Sequence, residues 1–112
     1  LRSVAAFQAR LAHGLRGLFH PHARHFVAWD LQRGLLLEPG IQAWVADDAK
    51  ALLAGFLGRA GSEVLPRLPG LRAQVVHSDG HGDNLLRAGT DGDEIVGVID
   101  FGDMVHAPLV QD

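Results

Sequence analysis

His77-Ser78-Asp79-Gly80-His81-Gly82-Asp83-Asn84, answered further along by Ile99-Asp100-Phe101-Gly102-Asp103, is the stretch on which the reading of this chain turns. Ala73-Gln74-Val75-Val76-His77 leads into it as a short β-like run. Between the two segments lie Asn84-Leu85-Leu86-Arg87 and Glu94-Ile95-Val96-Gly97-Val98-Ile99, joined by the turn-rich Ala88-Gly89-Thr90-Asp91-Gly92-Asp93. The pattern predicts a strand, a tight polar loop and then a hairpin that ends at Asp100.

Everything before Gly70 reads differently. Val4, Phe7, Leu11, Leu15 and Leu18 recur every three or four residues, the stripe of an amphipathic helix over 3–19, weakened by Gly14 and Gly17. Pro21 interrupts the pattern, which resumes as a short packed helix from Phe26 to Leu37 and is expected to end at Pro39-Gly40. From Ile41, the residues Ile41, Trp44, Val45, Leu52, Leu53, Phe56 and Leu57 share one face, which predicts a core-facing helix with Asp47 and Asp48 on its solvated side. A turn of helix over Ser62–Leu65 precedes a connection at Pro66, Pro69 and Gly70. Helices followed by a small sheet define an α+β class. The expected organisation is one partial domain, mainly helical over 1–70, with the polar loop, the hairpin and the second polar segment over 71–112.

Composition narrows the function. With 47% hydrophobic and 21% charged residues in 112, the chain is an ordinary globular sequence. No apolar run reaches the ~18 residues of a membrane span, and Leu1-Arg2-Ser3-Val4 has no signal-peptide character, so neither a membrane role nor export is expected. The absence of cysteine excludes disulfides and thiolate chemistry and leans toward a cytoplasmic protein. The net charge of −3 divides unevenly: residues 1–78 carry +4 and residues 79–112 carry −7. That balance argues against a nucleic-acid partner, and carboxylates gathered in this way must be solvated, spread apart or paired with a cation.

The polar segments spell H-x-D-x-x-x-x-N followed by I-D-F-G. Transfer of a phosphoryl group from a nucleotide needs a carboxylate to take the proton of an acceptor hydroxyl, and oxygen ligands to hold Mg²⁺ against the phosphates. An Asp and an Asn five positions apart on one loop, with a second Asp at the end of the next hairpin, can supply both. The two motifs resemble the catalytic loop and metal-binding segment of the aminoglycoside/choline-kinase-like phosphotransferases, which share the protein-kinase fold. Gly97-Val98-Ile99-Asp100-Phe101-Gly102-Asp103-Met104-Val105-His106-Ala107-Pro108-Leu109-Val110 is most similar to the hydroxylysine-kinase-like branch, also found fused to class III aminotransferases, and Trp29-Asp30-Leu31 looks like that branch too.

The resemblance implies a C-terminal lobe with Asp79 as catalytic base, Asn84 and Asp100 as Mg²⁺ ligands and His77 as the residue that structures the loop. Asp103 and His81 are candidates for supporting roles beside them. Ser78, Gly80 and Asp83 depart from the family's commonest residues. The resemblance further implies ATP or GTP as donor and a small amine-bearing acceptor such as hydroxylysine, an amino alcohol or an aminoglycoside. A kinase of this kind also needs a nucleotide-covering loop and a phosphate-binding lysine, and the single lysine, Lys50, falls in the helical part. The expectation is therefore a fragment, inactive alone, whose N-terminal lobe is supplied in cis.

Plainer readings stand beside these. Asp, Asn and Gly dominate turns in any protein, and the order of the two motifs around a hairpin is what favours phosphotransfer over two polar turns. A non-catalytic remnant or binding fragment of such a lobe is the alternative. His77 ends an apolar strand, where a hydrogen-bonded structural histidine is the commoner finding. His20, His22 and His25 lack a fourth partner for zinc and read as exposed loop residues, and Trp44 reads as a core residue.

Overall fold

A computed structural model describes residues 2–89 and 94–112, excepting the side chains of residues 37 and 38; part of the expected turn, 90–93, lies outside the described residues. The chain forms two compact units, one of Leu1–His25 with Ala73–Asp112, the other of Phe26–Arg72.

The first unit begins with α1, Arg2–Gly14, whose half-buried side chains at Val4, Phe7, Gln8, Leu11 and Ala12 make a stripe along one side. The helix ends five residues before the stripe predicts. Gly17 turns left-handed at φ +81, so the chain leaves the helix where a residue with a side chain would resist. Pro21–Arg24 then makes one 3₁₀ turn that packs on the last strand and buries Ala23.

Two antiparallel pairs follow rather than one sheet. In the first, β1 (Ala73–Val76) pairs with β4 (Val105–Pro108), matching Val75 to His106 and Val76 to Val105. In the second, β2 (Leu85–Arg87) pairs with β3 (Ile95–Val98) as the expected hairpin, with a register shift between Leu86 and Arg87, and Ala88 N donates to Glu94 O at 3.0 Å. The strand β4 has no counterpart among the predicted elements. Its four residues end in a proline, which is tolerated only where no ladder hydrogen bond is required of it. The core of this unit is Val75, Val76, Leu85, Ile95, Val105 and Ala107, all at most 9% exposed.

α1 is fastened to these strands through polar atoms. Ser3 Oγ accepts from Ile95 N at 3.0 Å, and Gln74 Nε2 donates to Ala12 O at 2.7 Å. The first satisfies a strand N–H, and the second a carbonyl in the last turn of the helix.

In the second unit, Leu31–Leu37 is a 3₁₀ helix rather than part of an α-helix from Phe26. The buried Asp30 precedes it, and its Oδ1 accepts from Gln32 N at 3.0 Å while Arg33 stands 3.5 Å from Oδ2. Pro39-Gly40 does not end a helix but lies inside α2, Glu38–Gln42. A proline is welcome there because the first-turn N–H groups of a helix have no partner to lose.

α3, Asp47–Arg59, starts six residues later than the apolar pattern from Ile41 predicts, and it is not buried. Its half-buried side is Ala49, Leu53 and Leu57, whereas Leu52 and Phe56 face solvent. Trp44, expected in the core, sits in the turn before it and is 91% exposed. Two apolar stripes on one helix blur the period that sequence analysis relies on. Asp47 and Asp48 occupy the first turn, where they oppose the positive end of the helix, and Asp47 binds Lys50 at 2.6 Å. A π turn over Ala60–Val64 and a 3₁₀ helix over Leu65–Gly70 stand where a turn of helix and a proline-rich connection are expected.

These burial differences give a stability test. Val76→Ala removes two fully buried methyl groups and is expected to cost about 2 kcal/mol in urea unfolding. Leu52→Ala should cost less than about 0.5 kcal/mol. Equal losses would show that α3 carries the core.

Candidate active site

The polar loop leaves β1 at His77, whose side chain is fully buried. Its Nε2–H donates to Ile99 O at 3.0 Å, and Nδ1 is buried with no hydrogen-bond partner among the described residues. The ring meets Phe101 edge-on with centroids 5.3 Å apart. Ile99 N in turn donates to Asn84 O at 2.9 Å. Both peptide groups of Ile99 are thus engaged, one by each end of the loop, immediately before Asp100.

Asp79 is partly buried and held by Asn84, whose Nδ2 donates to Asp79 O at 2.9 Å and to Asp79 Oδ2 at 2.8 Å. Asn84 is 7% exposed. With its amide hydrogens spent on Asp79, Oδ1 is the atom Asn84 has left for another group. His81 Nε2 stands 3.5 Å from Asp79 Oδ2, and His81 Nδ1 accepts from Asp83 N at 3.3 Å. Asp83 itself turns its carboxylate almost wholly to solvent. Loop and hairpin therefore bring Asp79, His81 and Asn84 into contact.

Asp100 is exposed and adopts φ 62, ψ 75, and its Oδ1 accepts from Gly102 N at 3.3 Å to cap the turn Phe101–Asp103. Asp103 lies in that turn and makes no hydrogen bond or ion pair among the described residues. Aspartate tolerates the left-handed region because its short side chain bonds the nearby backbone. Among the described residues the non-glycine positions with positive φ are Asp100 and Ser78, at φ 69, and both lie in this site.

Ser78 shows what sequence reasoning missed. Its N–H donates to Asp112 Oδ1 at 2.8 Å, so a carboxylate at the far end of the chain anchors the residue that precedes Asp79. The bond spans 34 positions and carries no local signal. Gly80 lies against α1: a Cβ there would meet the amide end of the flexible Gln8 side chain, which would have to swing away. The histidines of the Pro21 turn bond locally, His20 Nδ1 accepting from His22 N and His25 Nδ1 meeting His22 O.

The donors fit a hard cation. Asn84 and Asp100 offer oxygen alone, and among the described residues no group of three or more His, Asp or Glu is placed to hold a metal. An ion held by these two residues would take its remaining ligands from water and phosphate oxygens, as Mg²⁺ prefers and zinc does not.

The loop holds Asp79 against Asn84, and Ile99 ties both ends of that loop to the turn that Asp100 caps. A family model described as the phosphotransferase enzyme family (APH) matches residues 1–112, and the chain belongs to that family. No curated protein and no solved structure gave a match. Among the described residues no helix is long and apolar enough to cross a membrane.

The strain at Ser78 is testable. Ser78→Gly relieves a left-handed residue and removes a buried hydroxyl that has no partner among the described residues, so it should stabilise the protein by about 1 kcal/mol. Asp112→Ala should cost about 1–2 kcal/mol by stripping the same loop of its acceptor. A loss on Ser78→Gly, measured by urea unfolding, would show that the loop needs the hydroxyl.

Proposed function

We propose that residues 1–112 form the acceptor-activating and metal-holding part of a cytoplasmic small-molecule kinase, which moves the terminal phosphate of ATP or GTP to a hydroxyl of an amine-bearing acceptor. The observation that carries this reading is the state of Asp79. One carboxylate oxygen is bound by the Asn84 amide at 2.8 Å, and the other has no hydrogen bond among the described residues, in a chain of the phosphotransferase family.

In this reading the free oxygen, Asp79 Oδ1, takes the proton of the acceptor hydroxyl. The acceptor oxygen forms a bond to the terminal phosphorus, and the bond from that phosphorus to its bridging oxygen breaks. The electron pair leaves with the nucleoside diphosphate. Asn84 Oδ1 and Asp100 would hold Mg²⁺, which when bound supplies positive charge against the phosphates. His77 keeps the loop and the Asp100 segment together through Ile99 and takes no part in proton transfer. The lysine and covering loop for the nucleotide come, in this reading, from sequence outside residues 1–112, since Lys50 is engaged with Asp47 on α3. Hydroxylysine, amino alcohols and aminoglycosides are the acceptors to try first, on the resemblance of residues 97–110 to the hydroxylysine-kinase-like branch.

The test uses the full-length protein containing this chain, radiolabelled ATP or GTP, and that acceptor panel. Asp79→Asn is expected to lower kcat at least ~100-fold with little change in nucleotide KM, because a base acts in the transition state rather than in binding. Unchanged turnover would remove Asp79 from the reaction. Mg²⁺ or Mn²⁺ should raise the melting temperature modestly alone and more with nucleotide, and Asp100→Ala should abolish most of that rise. Equal responses in both proteins, at constant ionic strength, would place the metal elsewhere.

A further inference from the structure

We propose that His81 is a positioning residue for Asp79: its Nε2–H is the second donor to Asp79 Oδ2, and the backbone of the same loop sets the tautomer that makes it one. The proposal rests on Asp79 being the base. His81 Nδ1 accepts the N–H of Asp83 at 3.3 Å and therefore presents a lone pair there. A neutral imidazole with one nitrogen accepting carries its hydrogen on the other. That other nitrogen, Nε2, stands 3.5 Å from Asp79 Oδ2.

The third contact agrees. Asn84 Nδ2 approaches His81 Nε2 at 3.4 Å, but its two hydrogens go to the shorter contacts with Asp79 O and Asp79 Oδ2, at 2.9 and 2.8 Å. Nothing from Asn84 is left for Nε2 to accept, so Nε2 is free to donate. At 3.5 Å the contact is longer than a good hydrogen bond, and such contacts in active sites commonly tighten once substrate is bound.

Two donors on Oδ2 have a consequence that one does not. A single amide lets the carboxylate swing about that bond, and a second donor beside the first, 3.4 Å from it, narrows the swing. The free oxygen, Oδ1, is then held within a narrower range of directions. The backbone N–H of Asp83 reaches the ring because Gly82 follows His81 directly and the chain turns at once into Gly82–Asn84. The extra acid at position 83 acts through its backbone N–H, at 3.3 Å from Nδ1, while its carboxylate, almost wholly exposed, stands farther from the same nitrogen at 3.9 Å.

Two substitutions separate this role from that of a mere loop cap. His81→Asn keeps an acceptor near Nδ1 for the Asp83 N–H and loses the donor near Asp79. His81→Gln keeps a donor near Nε2 and loses the cap. In the full-length protein with Mg·ATP and the acceptor panel, His81→Asn should lower kcat about 10-fold with nucleotide KM within about 2-fold, and His81→Gln should stay within about 3-fold of wild type. The reverse order, an active Asn variant and a crippled Gln variant, would make His81 a cap and overturn the proposal. An Asp79→Asn control that retains full turnover would instead overturn the base assignment. Independently of turnover, ¹⁵N NMR of the neutral His81 ring in that protein should find the hydrogen on Nε2, and a hydrogen on Nδ1 would overturn the proposal.

Discussion

The peptide groups on either side of Ile99 hold the site together. One bond runs from Ile99 N to Asn84 O and one from His77 Nε2 to Ile99 O, so the residue before Asp100 is fastened to both ends of the loop that carries Asp79. The two strand pairs share no ladder, and each is too short to be stable by itself. The His77 side chain supplies the cross-link, fully buried and in contact with Phe101. In a low-dielectric setting a satisfied bond of this kind is worth keeping, because losing either partner strands a buried polar group.

The carboxylates of the acidic C-terminal third are disposed of in a similar way. Asp112 binds the Ser78 N–H, Asp100 binds the Gly102 N–H, and Asp79 takes the Asn84 amide. None of the three relies on an arginine or lysine. Backbone and amide donors carry only partial charge, so the segment keeps its net negative potential while each carboxylate is held in place.

What the sequence discloses follows the range of the interactions. The hairpin is legible because alternating apolar residues and a turn-rich connector are local signals, and the spacing of Asp79, Asn84 and Asp100 is read directly. β4 is not legible, since Val105–Pro108 is four residues long and its partner β1 lies some thirty positions earlier. Asp112 is hidden for the same reason, and His81 Nδ1 is visible only once the Asp83 N–H is seen to reach it. Trp44 misleads because apolar spacing says which residues share a face, not whether anything covers that face. The 3₁₀ and π turns between residues 31 and 70 have hydrogen-bonding rhythms that a search for 3.6-residue periods does not register.

α1 depends on residues that are made long after it. Its Ser3 hydroxyl and Arg10 guanidinium both bind the backbone of Ile95, 92 and 85 positions later, and its Ala12 carbonyl waits for Gln74. During synthesis the helix therefore leaves the ribosome with its apolar stripe bare, while the whole of the second unit is translated before the strands that receive it appear. A short helix with no partner is marginal in water, so the strands that bond to α1 are what hold it in place. Closing a loop costs free energy that grows only with the logarithm of its length. The segment between residues 26 and 72 can accordingly lengthen or shorten from one protein to another with little effect on how α1 docks.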